Sequence, residues 1–376
     1  GQYSNPLVPA YLYPRGDNFS TVKVFERYNE ARKINEQFWP SGEGDLRMQN
    51  PYWIAYRNLR ENSKKRYMLS AGLTYDVLDW LSLSGRIRID NSNNTYEQKY
   101  YASTITTLTE GSEQGYYGIE KSGNSQTYAD FLVNINKRVG DFTIVANIGT
   151  SLSDNSYDML GYNGPIQEKG IPNVFNVFDL DNTKKRATQE GWEEMTQSIF
   201  ASAEVGWKSM LYLTLTGRND WFSALSYKGK TSPNHIFYPS VGLGFILSEA
   251  IQMPSWFPYL KLRGSWAQSG GAVGAYQLGL TYSYADAYRK YPVGSIDNGT
   301  IPNLNLKPLT SISYEGGFEA RFFNNRFGID FTYYVRNTKD DIVNAGISTA
   351  SGYGNVKINA GKVNNHGIEL LLTGTP

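Results

Sequence analysis

From Tyr67 onward the chain alternates between apolar and polar residues. Tyr67, Leu69, Ala71, Leu73, Tyr75 and Val77 fall on one side of a two-residue period, with Met68, Ser70, Gly72, Thr74 and Asp76 between them. Successive side chains of an extended strand point to opposite faces, so this spacing predicts a strand with one apolar and one polar face. A tight link at Leu78-Asp79-Trp80 follows. The next strand sets Leu81, Leu83, Gly85, Ile87 and Ile89 against Ser82, Ser84, Arg86, Arg88 and Asp90. The same unit recurs with Ala129, Phe131, Val133 and Ile135, then Phe142, Ile144, Ala146 and Ile148, joined through Arg138-Val139-Gly140. A third hairpin pairs Ile199, Ala201, Ala203, Val205 and Trp207 with Leu211, Leu213 and Leu215 across Lys208-Ser209-Met210.

A fourth hairpin runs through Val241, Leu243, Phe245 and Leu247 and returns through Leu260, Leu262, Gly264 and Trp266. In the fifth, Tyr314, Gly316, Phe318, Ala320 and Phe322 precede Asn324-Asn325, and Phe327, Ile329, Phe331, Tyr333 and Val335 follow. A last strand, Ile368 to Thr373, starts a hairpin that the chain does not complete. The first 60 or so residues read as an irregular loop punctuated by Pro and Gly.

Short and long links alternate. About 3 residues follow Val77 and about 30 separate Asn91 from the next apolar run; about 3 follow Lys137 and about 40 lie beyond Asp154, the asymmetry of outer-membrane barrels with short periplasmic turns and long extracellular loops. Strands of about 10 residues also suit a tilted membrane crossing. An open sheet edge in lipid leaves unpaired N–H and C=O groups at several kcal/mol each, so such a sheet has to close. The expected fold is therefore all-β: an antiparallel transmembrane β-barrel, present here as about 11 strands of a larger closed sheet.

Composition narrows the reading without changing it. The chain has 29 Tyr, 8 Trp and 37 Gly and no Cys among 376 residues, which suits aromatic girdles and excludes disulfides and thiolate metal sites. No apolar run approaches the roughly 18 to 20 residues of a spanning helix. With 36 basic and 35 acidic residues spread along its length, the chain carries no electrostatic footprint for nucleic acid. The opening Gly1-Gln2-Tyr3-Ser4 is unlike a signal peptide, so an export signal is expected upstream or already removed.

Candidate chemistry is sparse. His235 and His366 are too few and too isolated for a His-rich metal site or a Ser-His-Asp triad and read as structural or surface residues. Gly229-Lys230-Thr231 resembles the end of a phosphate-binding loop but lacks its first glycine and a preceding buried strand. Gly242-Leu243-Gly244 lies inside a strand and reads as structural. Asp179-Leu180-Asp181-Asn182 lacks the glycine and distal Glu of a calcium loop. Glu315 and Glu319 share a strand face but alternate with Arg321, as an ion-paired lumen wall does.

No catalytic residue, metal or cofactor is expected, and the chain does not read as an enzyme. The candidate substrate contacts are loop aromatics, Tyr116, Tyr117, Tyr162, Trp192, Tyr276, Tyr282 and Tyr284, because flat rings stack on sugars or peptide side chains while their polar edges hydrogen-bond. Packing of long loops is the competing role for each. Inward polar residues Arg86, Arg88, Arg218 and Asp220 are the candidates for tuning what passes.

Particular strings sharpen this picture. Asn50-Pro51-Tyr52-Trp53, Asp79-Trp80-Leu81-Ser82-Leu83-Ser84-Gly85-Arg86, Gly217-Arg218-Asn219-Asp220-Trp221-Phe222-Ser223 and Phe237-Tyr238-Pro239-Ser240-Val241-Gly242 together resemble the SusC/RagA family of TonB-dependent transporters of Bacteroidota. So do Leu260-Lys261-Leu262-Arg263-Gly264-Ser265-Trp266, Asn303-Leu304-Asn305-Leu306-Lys307-Pro308, Phe322-Phe323-Asn324-Asn325-Arg326 and Asn364-Asn365-His366-Gly367-Ile368-Glu369.

The resemblance implies a barrel of about 22 strands around a plug. Residues 1–376 would be part of its barrel domain, without the plug, the TonB box or the remaining strands. It further implies the outer membrane of a Gram-negative bacterium, import of oligosaccharides or peptides, a SusD-like surface lipoprotein as partner, the TonB complex as energy source, and room for a dimer of SusC–SusD pairs. Two other readings fit the hairpin pattern: a passive porin or structural barrel, and a soluble all-β carbohydrate-binding or hydrolytic domain. The last would need a second layer over Leu81, Leu83, Ile87 and Ile89.

Overall fold

A computed structural model of the chain describes residues 2–39, 48–230, 232–271, 273–288, 291–296 and 299–375, with the side chains of 282–298 left aside. Eleven strands form one antiparallel sheet in which each strand neighbours the next in sequence. In chain order they are β1 Asn58–Leu78, β2 Leu81–Tyr101, β3 Gly115–Val139, β4 Phe142–Pro165, β5 Arg186–Trp207, β6 Leu211–Phe222, β7 His235–Ile246, β8 Tyr259–Gly271, β9 Leu309–Phe322, β10 Phe327–Lys339 and β11 Lys362–Gly374. Among the described residues no helix is long and apolar enough to cross a membrane. The chain divides into two compact units, Gly1–Met68 with Asp90–Ser125 and Ser156–Trp192, and Leu69–Ile89 with Gln126–Asn155 and Glu193–Pro376.

In the second unit, register turns the alternation of single strands into continuous stripes. Trp207, Leu211, Phe245, Leu262, Phe318, Phe331 and Leu370 are partners in turn from β5 to β11. Three positions along, a stripe on the other face runs Glu204, Thr214, Gly242, Ser265, Glu315, Tyr334 and Gly367. A slip of one residue in any pair would bring apolar and polar positions into the same stripe, so burial of one face in hydrocarbon fixes every register.

The apolar face has a measurable height. Its rungs on β5, β6 and β7 climb from Trp207–Leu211–Phe245 through Val205–Leu213–Leu243 to Ile199–Asn219–Phe237 and Gln197–Trp221–His235. The ten steps from Trp207 to Gln197, at about 3.3 Å each and tilted about 40°, rise about 25 Å, the thickness of a barrel's apolar band.

Aromatic rings mark both limits. At the turn end, Lys137 Nζ lies 4.6 Å from the Trp80 ring and Lys208 Nζ 5.2 Å from Trp207. Phe257 and Phe322 stack there at 4.7 Å, with Trp256 beside them at 5.8 and 6.2 Å. At the other end the Trp221 and His235 rings are 6.3 Å apart. Amphipathic rings and snorkelling lysines are what a membrane–water interface selects.

The short links are as expected. Lys208 (φ 50°) and Ser209 (φ 56°) turn β5 into β6, and Asn324 (φ 55°) and Asn325 (φ 66°) turn β9 into β10. Positive φ at adjacent turn residues matches the twist of the flanking strands, at a steric cost that asparagine bears well.

The long links differ from the expectation. The stretches of about 30 and about 40 residues read as loops are largely strand: β2 and β3 leave only residues 102–114 between them, and β4 and β5 leave only 166–185. Past the apolar band neither face meets hydrocarbon, so hydrogen-bonded pairing continues without the alternation that betrays it.

The opening 60 residues are also more ordered than their composition suggests. A hairpin of Glu26–Asn29 with Ile34–Gln37 packs with a helix, Pro51–Arg57, in the first unit. Asn50 caps that helix, accepting from the Tyr52 N–H at 2.9 Å, while its Nδ2 donates to the Val22 and Phe38 carbonyls at 2.9 and 3.0 Å. Trp53, fully buried, donates from Nε1 to Thr104 Oγ1 at 3.0 Å. The Asn50-Pro51-Tyr52-Trp53 string is therefore a structural hub.

Two substitutions one residue apart test the assignment of faces in the full-length protein. Leu215→Arg puts a charge near the middle of the apolar band and should destabilise the folded barrel by about 2 to 4 kcal/mol. Thr214→Arg, on the aqueous stripe, should change stability little; equal losses in urea unfolding from lipid vesicles would refute the assignment.

Candidate functional site

The aqueous face of the second unit is an ion-paired wall. Arg86 on β2 reaches Asp130 on β3 with Nε at 3.1 Å and Nη2 at 2.6 Å. The Asp130 side chain is only 2% exposed. Its charge is tolerable there because the guanidinium meets it directly, and removing Arg86 would strand a buried carboxylate. Arg88, two residues along the same face, makes no ion pair among the described residues.

Two glycines shape this wall. A Cβ at Gly149 would stand 2.8 Å from the Phe200 ring, so the bare backbone of β4 lets that ring lie flat across the strand. The Arg218 guanidinium sits 5.4 Å from the centre of the same ring, with Nε 2.6 Å from Asp220 Oδ1 and Nη2 2.8 Å from Ser198 Oγ. At Gly317 on β9, a Cβ would collide with the Phe331 carbonyl. Its absence lets Arg263 of β8, directly opposite Gly317, cross to Asp330 and Thr332 on β10. Arg321 is bonded to Glu319 at 2.8 Å, so that carboxylate belongs to the same paired surface.

At the far end of this unit a loop cavity of about 540 Å³ is lined by Tyr276, Tyr227, Glu193, Ser223, Leu278 and Thr281, among others. Its base rests on the cluster of Phe222, Leu225, Val273, Leu278 and Leu306. Tyr227 packs flat against Gly279, and Tyr276, 66% exposed, is open to solvent. The Asn303-to-Pro308 string braces the same cluster: Leu306 is fully buried, and Asn359 bonds both the N–H and the carbonyl of Lys307, at 2.8 and 2.9 Å. Burial lowers the Lys230 ammonium below its ordinary pKa, and its Nζ has no partner among the described residues; Thr231 lies outside them.

The first unit holds four of the expected aromatics and uses two of them internally. Tyr116 and Tyr117 are only 7% and 4% exposed. The Tyr116 hydroxyl donates to Asn163 Oδ1 at 3.2 Å and accepts from Arg186 at 3.1 Å. The Tyr117 hydroxyl donates to Glu97 at 2.8 Å, and burial together with that carboxylate pushes it up to about 12. Both rings, as placed, pack the unit rather than offer a face to a ligand. Tyr162 is half-buried, and Trp192, 38% exposed, stacks on Tyr157 at 6.2 Å.

Tyr282 and Tyr284 lie on a strand, Tyr282–Tyr288, but their side chains fall outside the described residues. Of the remaining candidates, only Arg218 and Asp220 touch each other. In the loop of Asp179 to Asn182 the carboxylates act within the backbone: Asp181 accepts from the Thr183 N–H and hydroxyl at 2.8 and 2.7 Å, which holds it below the usual carboxylate range.

Sequence reasoning missed Tyr227 and an aromatic group in the first unit. Phe25, Tyr52 and Tyr56 have nearly parallel rings 5.5 to 6.4 Å apart, with Tyr56 exposed. The spacing of Tyr52 and Tyr56, one helical turn, was the available signal.

Residues 7–375 match the family model described as TonB dependent receptor-like, beta-barrel. TonB-dependent receptor P26 of Formosa agariphila is 29% identical over 204 residues, covering 53% of this chain and 20% of that protein. Among solved structures, the RagAB peptide transporter superposes with a TM-score of 0.78 at 17% identity, over 92% of this chain and 37% of that one. The siderophore receptor PiuA of Acinetobacter baumannii gives 0.52 at 13% identity, over 94% of this chain and 48% of that one. The chain thus spans about a fifth of the P26 relative and under half of these two structures.

Two outcomes are expected at these sites. Tyr276→Ala should weaken binding of any sugar or peptide that occupies the loop cavity about two- to tenfold, the equivalent of about 0.5 to 1.5 kcal/mol for one ring contact, measured by calorimetry on the intact protein. Unchanged affinity would remove the loop cavity from consideration.

Glu97 is held below the ordinary carboxylate range by Lys99, against burial, with Tyr117 assisting. Its stabilising contribution is therefore complete at neutral pH and is lost as pH falls through that lowered value. Hydrogen exchange around Tyr117, corrected for intrinsic rates, should rise below about pH 4 in the native protein. In Glu97→Gln the same region should be less protected at pH 7 and nearly indifferent to acid.

Proposed function

Because this chain belongs to the TonB dependent receptor-like β-barrel family, whose members are outer-membrane transport proteins of Gram-negative bacteria rather than enzymes, we propose that it forms one wall of an active nutrient importer. The observation that carries this reading is the family match across residues 7–375, laid on a sheet whose apolar and polar stripes run unbroken through seven strands. The proposed cargo is an oligosaccharide or a peptide too large to diffuse through a narrow pore. A SusD-like surface lipoprotein closes over the loops once cargo is bound, and pairs of such units can associate as dimers. The TonB complex of the inner membrane supplies the energy by pulling on a plug within the closed barrel.

The paired wall suits that work. Arg86, Arg218, Arg263 and Arg321 each have a carboxylate in contact, so the surface is hydrated and nearly neutral overall. A polar chain can slide past such a wall without being held by a single strong charge. Arg88, Lys261 and Arg336, which make no ion pair among the described residues, are cations left to meet an acidic group on the cargo. Similarity to a structure described as a peptide transporter supports a peptide as readily as a glycan, and the exposed rings of Tyr276 and Trp192 accept either.

Uptake of labelled oligosaccharides and peptides should be compared in cells with and without the gene, before and after collapse of the proton gradient. Import that needs both gene and gradient is expected. Uptake that needs the gene but ignores the gradient would identify a passive porin instead, and uptake unaffected by deletion would remove import altogether.

A further inference from the structure

A cavity of about 820 Å³ in the second unit lies across β3 to β6. It opens on the apolar face. Phe131, Leu152, Ile199 and Trp221 line it, and all four belong to the stripes that face hydrocarbon. Along β5 and β6 it spans the rungs of Ile199 and of Gln197 with Trp221, at the aromatic girdle away from the short turns. With short turns on the periplasmic side, that is the level where outer-leaflet acyl chains meet their carbonyl groups.

The groove has a structural origin. β6 stops at Phe222, while β5 continues to Arg186, so the wall loses a strand just past Trp221. Ser223 turns back and takes the Met195 N–H on its hydroxyl at 2.8 Å. Ser226 and Asn234, bonded to each other at 3.0 Å, close the notch. The result is a recess with an apolar floor and a polar rim, continuous with the lipid-facing surface.

Its chemistry narrows the occupant. No lysine or arginine lines it, and the one carboxylate nearby, Asp130, is engaged by Arg86 on the opposite face. No basic side chain is there to hold a phosphate, whether of a glycerophospholipid or of a glycolipid, so the groove takes an acyl chain and its linkage group and leaves the headgroup outside. The exposed Gln197 amide offers both a donor and an acceptor within the apolar face. An ester-linked chain could satisfy only the donor, whereas an amide-linked or hydroxylated acyl chain could satisfy both. The volume lies within the range of about 300 to 1,000 Å³ typical of small-molecule pockets.

We propose that this groove is a binding site for one acyl chain of lipid A, the glycolipid of the outer leaflet, with the polar part of the chain on Gln197. It fixes a lipid to the outside of the barrel and is independent of the solute carried inside.

The full-length protein, extracted from outer membranes in mild detergent, should retain one lipopolysaccharide per barrel through repeated washing, detected by native mass spectrometry. Rough lipopolysaccharide added to delipidated protein should restore it. Ile199→Trp and Ala129→Trp, which fill the recess, and Gln197→Leu should each lower retention at least about tenfold. Leu213→Trp, lower on the same face, should leave it unchanged. Folding of each variant is checked by its heat-dependent mobility on gels, so loss of lipid is separable from loss of the barrel. Equal retention in all variants, retention of phospholipid in place of lipopolysaccharide, or no retained lipid in the native protein would each overturn the proposal, and none would bear on solute uptake.

Discussion

Hydrocarbon offers no hydrogen-bond partner, so each backbone N–H and C=O within the apolar band has to find one on a neighbouring strand. From that requirement follow the strictly sequential order of the eleven strands and the short turns on one side. The unbroken pairing from β5 to β11 follows as well. With pairing obligatory, the two-residue period of side chains becomes a property of the whole sheet. One stripe of Trp207, Leu211, Phe245, Leu262, Phe318, Phe331 and Leu370 faces lipid only because six successive registers agree.

The aqueous face obeys a different rule. There the sheet has to hold charges beside a low-dielectric wall, and it does so by pairing them across strands. Glycine decides how far a side chain can reach. Gly317 lets Arg263 bridge to the second strand over, and Gly149 lets Phe200 lie where Arg218 can rest against it. Small residues inside strands are therefore part of the electrostatic design, in keeping with close approach of neighbouring atoms.

Past the apolar band the constraint changes again, because neither face of a strand meets hydrocarbon. The first unit is organised by buried polar hubs such as Asn50, and by hydroxyls such as Tyr117 that share a carboxylate with a lysine. The five strands that run into it continue pairing well past the point where alternation ends. Tyr116 and Tyr117, candidates for ligand contact on chemical type alone, are consumed by this packing, whereas Tyr276 remains open.

The sequence alone determined the strand faces, the short turns and the ion-paired character of the lumen wall. Each depends on residue type at a two-residue spacing, and lipid on one side makes that spacing strict. It also carried, in strings such as Asp79 to Arg86 and Gly217 to Ser223, the resemblance that the family match bears out. Strand extents in water, the hub at Asn50, the partners of each arginine and the notch past Trp221 were decided only by tertiary structure. Without hydrocarbon on one side there is no strict hydrophobic period. A hydrogen bond between residues 20 to 80 positions apart, as from Trp53 to Thr104, leaves no local mark; its energy is gained only once the sheet has brought the partners together.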